Sequence, residues 1–561
     1  MKKKLFILFA LAAVLVSCSD KIYNEINTDP TKASQFNPAL QLTFSELQTY
    51  GDMNYVDVHR LYIYAFTQHL MGCWNTTNYG GQHRMDDNEI SRPWNNLYPG
   101  AMRNLTDAIS KSADEPTYKN VNAAMRIYRV YVGSLLTDYY GDVPFSEAGL
   151  AYLSGESNPK YDTQEELYKL FFSELKAAAA QLDVQGSPIT SDPLFEGDIE
   201  SWRLFANSLR LRYAMRISDI LPDLAKDEFV AALADGVMTS KADNACVKHM
   251  NVTYSFGQES YSDFRGNALS KYFYGNDPSN NPTYICQTFW EQLYNNNDPR
   301  TTRLCHFYID DFMSLSSADG RIDVTDAVIA TQKANPETAI IYMVPPGYFS
   351  WDNWPSYTDL PGSALANKIA EVQAAHPDYN PGENPRWLLP KLANNFLRSD
   401  NPGVLMTYAE VCFLRAEAAV LGWTSDNAKN YYEEGIRAAM DLLADYYGCN
   451  AITDAEYAAY LAESSVAFGV VADQQKSQIN TQAWILHFHN PAEAWANVRR
   501  SDYPRLKAPD GKNRLINGED IPVRLCYPLK EETYSKEEYE EAKSRVQGTY
   551  NWHARLWWDV K

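Results

Sequence analysis

The chain has 561 residues and a formal net charge of -21, from 50 basic and 71 acidic side chains. A surface that negative repels a phosphate backbone, which excludes nucleic acid as the partner. The length gives ample chain for a core in one large domain or several, and with 13% aromatic residues, 39 of them tyrosine, aromatics by themselves mark no site.

Lys2, Lys3 and Lys4 precede an apolar run from Leu5 to Val16. The run is too short to cross a bilayer as a helix and has the layout of a secretory signal. It ends in Leu15-Val16-Ser17-Cys18, a small residue and a cysteine in register with the apolar segment. This reads as a bacterial lipobox, which predicts that residues 1–17 are removed and Cys18 is acylated, against the alternative of an ordinary signal peptide with a chance cysteine. Several acyl chains on one residue supply stable anchoring. Residues 18–35 read as a lipidated tether and residues 36–561 as a single body. No later segment has the apolar length of a membrane-spanning helix, so that body is expected to be soluble. Cys73, Cys246, Cys286, Cys305, Cys412, Cys449 and Cys526 remain, an odd set without a CxxC or a zinc-like quartet. A disulfide or two is permitted outside the cytoplasm, and most of these residues are expected to be small buried hydrophobes.

Helical periodicity follows. Val121, Ala124, Met125, Tyr128, Val132 and Leu135 fall on one helix face. Thr163 and Glu166 form a capping box ahead of Leu167, Leu170, Phe171 and Leu175. Trp202, Phe205, Leu209, Tyr213 and Ile217 make a third stripe. Between about residues 251 and 402 the chain turns rich in Asn, Asp, Gly, Pro and aromatics, which predicts a loop-rich excursion carrying binding residues. Near the carboxyl end Leu405, Tyr408, Cys412, Arg415 and Ala419 form a stripe broken at Gly422-Trp423, and Tyr432, Ile436, Ala439 and Leu443 form the next. Small residues at Ala416, Ala419, Gly435 and Ala439 let this pair approach closely, as tetratricopeptide hairpins do. The fold expected is mainly α: tetratricopeptide-like helix pairs as a scaffold, with a loop-rich half carrying the site.

Ordered segments along the whole length carry a resemblance. They include Trp94-Asn95-Asn96-Leu97-Tyr98, the run Leu136-Thr137-Asp138-Tyr139-Tyr140-Gly141-Asp142-Val143-Pro144, and Trp202-Arg203-Leu204-Phe205-Ala206-Asn207. Asn297-Asp298-Pro299-Arg300, Tyr408-Ala409-Glu410-Val411-Cys412-Phe413-Leu414-Arg415-Ala416-Glu417 and Ala494-Trp495-Ala496-Asn497-Val498-Arg499-Arg500 follow, and Trp557-Trp558-Asp559 closes the chain. With the lipobox, they resemble the SusD/RagB family of outer-membrane lipoproteins. The resemblance implies four tetratricopeptide-like helix pairs against a loop-rich half. It also implies a surface-exposed, lipid-anchored lid over a SusC-like TonB-dependent transporter, capturing oligosaccharides, or in some branches peptides, without catalysis and without a cofactor. A lid over a barrel implies a partner face above the standard interface size.

A sugar ring needs a flat aromatic for its C–H face and planar polar groups for its hydroxyls. Segment 73–81, Cys-Trp-Asn-Thr-Thr-Asn-Tyr-Gly-Gly, follows an apolar helix from Leu61 to Met71 and occupies the region resembling the family's first ligand-contacting loop. Trp74 is the expected platform, assisted by Asn75 and Tyr79. The second cluster supplies Tyr348, Trp351, Asp352, Asn353 and Trp354 from a polar loop opened by Pro345-Pro346-Gly347. Tyr272, Phe273 and Tyr274 are a third choice. The opposing reading is a plugged helix end for Trp74 and a self-packed Ω-loop for the second cluster. Trp94, Trp202, Trp423, Trp495 and Trp557 are assigned to packing.

Other chemistry is set aside. Asp319, Gly320, Ile322, Asp323 and Asp326 imitate the second part of a calcium loop, but its first place is Leu315. His487-Phe488-His489 has no further ligand at helical spacing, so no metal is expected. Asp138, Asp142 and Glu147 read as structural acids. The alternatives are a surface glycoside hydrolase, which needs a carboxylate pair facing the aromatic loops, and a structural or adhesive lipoprotein.

Overall fold

The computed structural model describes residues 36–72, 76–155, 158–252, 263–274, 283–309, 321–347, 360–377, 388–507, 509, 515 and 520–560. Cys18 and the tether lie outside the described residues. Residues Ala39–Lys561 form one compact unit. Helix α1 (Pro38–Gly51) opens it, and strand β1 (Leu70–Gly72) follows. Helices α2 (Lys119–Tyr140), α3 (Gln164–Gln181), α4 (Ile199–Arg216) and α5 (Pro222–Asp235) then pack in successive pairs. No helix among the described residues is long and apolar enough to cross a membrane.

The predicted stripe of α2 is buried along its length, but so are Ala123, Ile127, Val130 and Tyr131 between its members. One stripe underestimates this helix because α3 lies on one side while α4 and the helix Arg103–Ser112 cover others. The capping box opens α3 as predicted: Thr163 N–H donates to Glu166 Oε2 at 3.0 Å, and Glu166 N–H donates to Thr163 Oγ1 at 3.3 Å.

The excursion is more ordered than its composition suggests. It contributes strand β2 (Thr283–Ile285), helix α6 (Gln287–Tyr294), strand β3 (Cys305–His306), helices α7 (Thr325–Ala334) and α8 (Ala364–Ala375), and strand β4 (Lys391–Leu392). With β1 these strands form a four-stranded antiparallel sheet in the order β1-β2-β4-β3. The strands are so short that no period-two pattern announces them; long-range pairing such as Leu70 with Ile285 makes them strands.

After strand β5 (Gly403–Met406) come α9 (Tyr408–Val420) and α10 (Ala428–Tyr447), the close pair expected. A Cβ on Gly435 would sit 2.6 Å from the Phe413 ring, so the glycine is what lets that ring lie between the helices. Leu405 belongs to β5 and not to the helical stripe, because Thr407 stops the strand and caps α9 by accepting from Glu410 N–H at 3.3 Å. Helices α11 (Ala472–Leu486) and α12 (Pro491–Ser501) pack next to each other and complete this half.

Buried ion pairs tie these helices together. Arg212 of α4 grips Glu410 of α9 through both carboxylate oxygens at 2.6 and 2.7 Å. Arg216 pairs with Glu493 of α12 at 2.6 Å and lies 3.4 Å from Asp138 of α2. Arg500 of α12 takes Glu417 of α9 at 2.8 Å on each oxygen. Three of the quoted family segments thus contribute to these buried ion pairs, through Asp138, through Glu410 and Glu417, and through Arg500.

Glu46 of α1 is fully buried, and neither of its oxygens accepts a hydrogen bond. Burial first, then the charge and hydrogen bond of Asp192, hold its carboxyl well above the ordinary range. Its protonated form is thereby favoured next to Asp192, whose oxygens already accept from the Leu194, Phe195 and Gly197 amides and the Trp202 indole. A raised acid stabilises fully below its unfolded pKa and loses that contribution as pH rises toward its folded value. Glu46→Gln keeps the donor and removes the titration. Its stability relative to wild type is expected to be greatest at neutral pH and to fall as pH drops toward the ordinary carboxylate range, by at most about 1.4 kcal/mol per pH unit for one proton. Denaturant unfolding across that range is the test; a pH-independent gap contradicts the neutral acid.

Candidate ligand-binding site

The expected helix from Leu61 to Met71 is shorter than predicted. Helical structure ends at Phe66, and Leu70 and Met71 lie in β1. Gln68 breaks it by adopting a left-handed φ of 57°, which its side chain holds in place. Its amide donates to Lys507 O at 2.6 Å and its carbonyl accepts from Thr288 Oγ1 at 2.7 Å.

β1 ends at Gly72, and a wide π-helical turn, Thr77–Gly81, begins a few residues later. The Thr77 hydroxyl donates back to Gly72 O, closing the base of the predicted loop. Gly80 lets the turn lie on the preceding helix: a Cβ there would be 2.5 Å from Leu61 O. Gly81 abuts the second predicted loop at its root. Gly347, with a φ of +75°, would place a Cβ 2.9 Å from Gly81 O and 3.1 Å from Pro509 Cβ. Val344 is held to the same sheet end by Gln287 N–H at 2.8 Å and by a parallel bridge to Cys286. The roots of segments 73–75 and 348–359 are therefore neighbours, separated by 266 residues of sequence (347 − 81).

Trp74, Asn75, Tyr348, Trp351, Asp352, Asn353 and Trp354 lie outside the described residues. Tyr79 is described and half-buried. Its ring packs 5.8 Å from that of Tyr62, with the Arg84 guanidinium 5.9 Å from its centroid, so a neighbour already holds it. Arg84 and the segment through Lys507 and Pro509 were missed. The turn-forming run Ala508-Pro509-Asp510-Gly511 was the signal available for the second.

The third choice is corrected: Tyr272 and Phe273 are buried, Tyr272 under Arg60 at 5.0 Å and Phe273 stacked on Phe488 at 6.1 Å. They pack because the short helix Ala268–Tyr274 lies on the helices around Met53–Ile63. Trp94, Trp202 and Trp495 are buried, and Trp423 and Trp557 are half-buried against the core. In the calcium-like stretch, Asp323 is spent on Thr325 N–H at 2.8 Å and His306 Nδ1 at 2.6 Å. Asp138 accepts from the Tyr168 hydroxyl and the Trp558 indole at 3.0 Å, and Asp142 takes Arg545 at 2.6 Å.

Among the described residues, the ligand-type side chains that cluster are Glu410, His487 and Glu493, all buried with donor atoms within 4.8 Å. The fold supplies carboxylates that sequence spacing could not reveal. Both already carry guanidinium groups, Arg212 on Glu410 and Arg216 on Glu493. A divalent cation would have to displace or repel two arginines. Burial holds the His487 imidazole below its ordinary range, against the opposing charges of Glu410 and Glu493.

Comparison with known proteins agrees with this architecture. The sequence profile of a SusD-like family, described as starch-binding and associating with the outer membrane, matches residues 27–320 and 365–528. A solved structure named Bacteroidetes AC2a SusD-like is 77% identical, with a TM-score of 0.91 over 94% of this chain and 100% of that one. A chitin-binding protein is 31% identical, with a TM-score of 0.74 over 94% of this chain and 100% of its own. A SusD homologue from Bacteroides fragilis, 20% identical with a TM-score of 0.64 over 93% of this chain and 100% of its own, shares the fold. No curated protein matches the chain. The profile match over most of the chain, together with the 77% identical structure that shares this helix-pair scaffold, places the chain in the SusD-like family.

Proposed function

We propose that the protein binds oligosaccharides at the cell surface, held to the outer membrane by lipid on Cys18, and delivers them without chemistry to a SusC-like TonB-dependent transporter. The observation that carries the reading is the meeting of Gly81, Gly347 and Pro509 at one end of the sheet. It brings together the roots of the loops with the best sugar-binding composition. Trp74 is the proposed stacking platform and Asn75 its hydrogen-bonding partner, with Tyr79 at the edge. Tyr348, Trp351, Asp352, Asn353 and Trp354 supply further contacts. Membership in a family described as starch-binding, and 31% identity to a chitin-binding protein, support a glycan over a peptide as ligand.

The buried acids Glu410, Glu417 and Glu493 are each paired with arginine, which argues for structural carboxylates over a hydrolase pair. The test is co-purification from the native host after gentle solubilisation of the outer membrane. A stoichiometric TonB-dependent barrel is the expected companion. An intact, lipidated protein that comes alone refutes delivery and favours the adhesive alternative.

A further inference from the structure

A cleft of about 710 Å³ opens between the start of α7, the end of α10 and the Thr302–His306 stretch. It lies within the range of about 300–1,000 Å³ usual for small-molecule sites. We propose that it is a second saccharide site, for neutral hexose or N-acetylhexosamine units, separate from the Trp74 loop.

Its walls are fixed by bonds already made. Arg303 donates to Pro299 O at 3.2 Å and Asn450 O at 3.3 Å and pairs with Glu456 at 2.8 Å. The Asn395 amide donates to Tyr447 O at 2.9 Å and Gly448 O at 3.1 Å, which leaves its carbonyl oxygen as an acceptor. His306 is held between Asp323 at 2.6 Å and Thr302 O at 3.1 Å. On this rigid frame stand the exposed side chains of Asp326, Asn450 and Thr302 and the half-buried Lys368.

The charges select the ligand. A net anion meets Asp323 and Asp326, and a net cation meets Lys368 and Arg303. Hydroxyls donate to carboxylates and amide oxygens and accept from ammonium and amide groups, so they satisfy both sets. The described lining residues include no Phe, Tyr or Trp, so recognition here runs through hydrogen bonds and not through stacking. The acids of the calcium-like stretch thereby find a place as cleft wall.

Cys449 lines the cleft and is half-buried, while the other described cysteines are buried. Burial pushes its thiol up to about 11, so alkylation is run at mildly alkaline pH. The full chain in detergent is alkylated with N-ethylmaleimide, with and without chitohexaose or maltoheptaose, and labelled Cys449 is quantified by peptide mass spectrometry. One of these sugars is expected to slow labelling severalfold, in wild type and in Trp74→Ala alike. Asp326→Ala is expected to weaken the protection about tenfold, the loss of one charge-assisted hydrogen bond. The proposal is overturned if neither sugar protects Cys449. It is equally overturned if protection disappears in Trp74→Ala, because the thiol would then report the loop site.

Discussion

Glu493→Ala is expected to destabilise the protein by about 3–5 kcal/mol, the cost of removing one partner from a buried ion pair. Glu493 lies 2.6 Å from Arg216 and 3.5 Å from Arg212, with both arginines at most 4% exposed in their side chains. Without it, Arg216 keeps only a 3.4 Å approach to Asp138, which is itself shared with Tyr168 and Trp558. Denaturant unfolding at neutral pH reads the loss. Arg216→Met combined with Glu493→Met is expected to cost less than Glu493→Ala, because no uncompensated charge is left buried. A single variant within about 1 kcal/mol of wild type, the scale of an exposed pair, contradicts this account.

The same pair makes the protein acid-sensitive. Burial alone would raise the Glu493 carboxyl, but Arg216 and Arg212 hold it below its ordinary range. A depressed acid stabilises fully above its unfolded pKa, near that of ordinary carboxylates, and loses the contribution as pH falls through its folded value. The penalty of Glu493→Ala should therefore shrink at acidic pH.

Trp74→Ala is expected to lower glycan affinity about 100-fold, the loss typical of an aromatic that anchors a binding site. Gly72, the last described residue before Trp74, has its carbonyl clamped by the Thr77 hydroxyl, so the backbone flanking the substitution is fixed independently of the indole. Calorimetry with chitohexaose and maltoheptaose measures the affinity, and thermal unfolding of the same samples measures stability. Unchanged affinity with reduced stability would make Trp74 a packing residue and refute the platform.

Much of the scaffold was legible because its signals are local. The Thr163–Glu166 box and the stripe of α4 depend on residues three and four apart, whose interactions exist before any tertiary contact forms. The stripe of α9 was extended wrongly to Leu405 because hydrophobicity does not distinguish a strand residue from a helical one across a cap. The excursion was read as mostly loop because two- and three-residue strands carry no periodicity of their own. Among the site candidates, Tyr79 could be named from its polar, glycine-rich surroundings, but its packing on Tyr62 could not.

The sequence by itself determined the sign of the surface charge, the helix faces and caps, and the family, since each is written in neighbouring residues or in ordered motifs. Tertiary structure alone decided which charges neutralise one another, where the predicted loops are rooted, and that the calcium-like acids border a cleft. Arg216 and Glu493 are 277 residues apart, and Arg212 and Glu410 are 198 apart. At such separations chain connectivity places almost no constraint on distance, so these contacts exist only once the helices between them have packed.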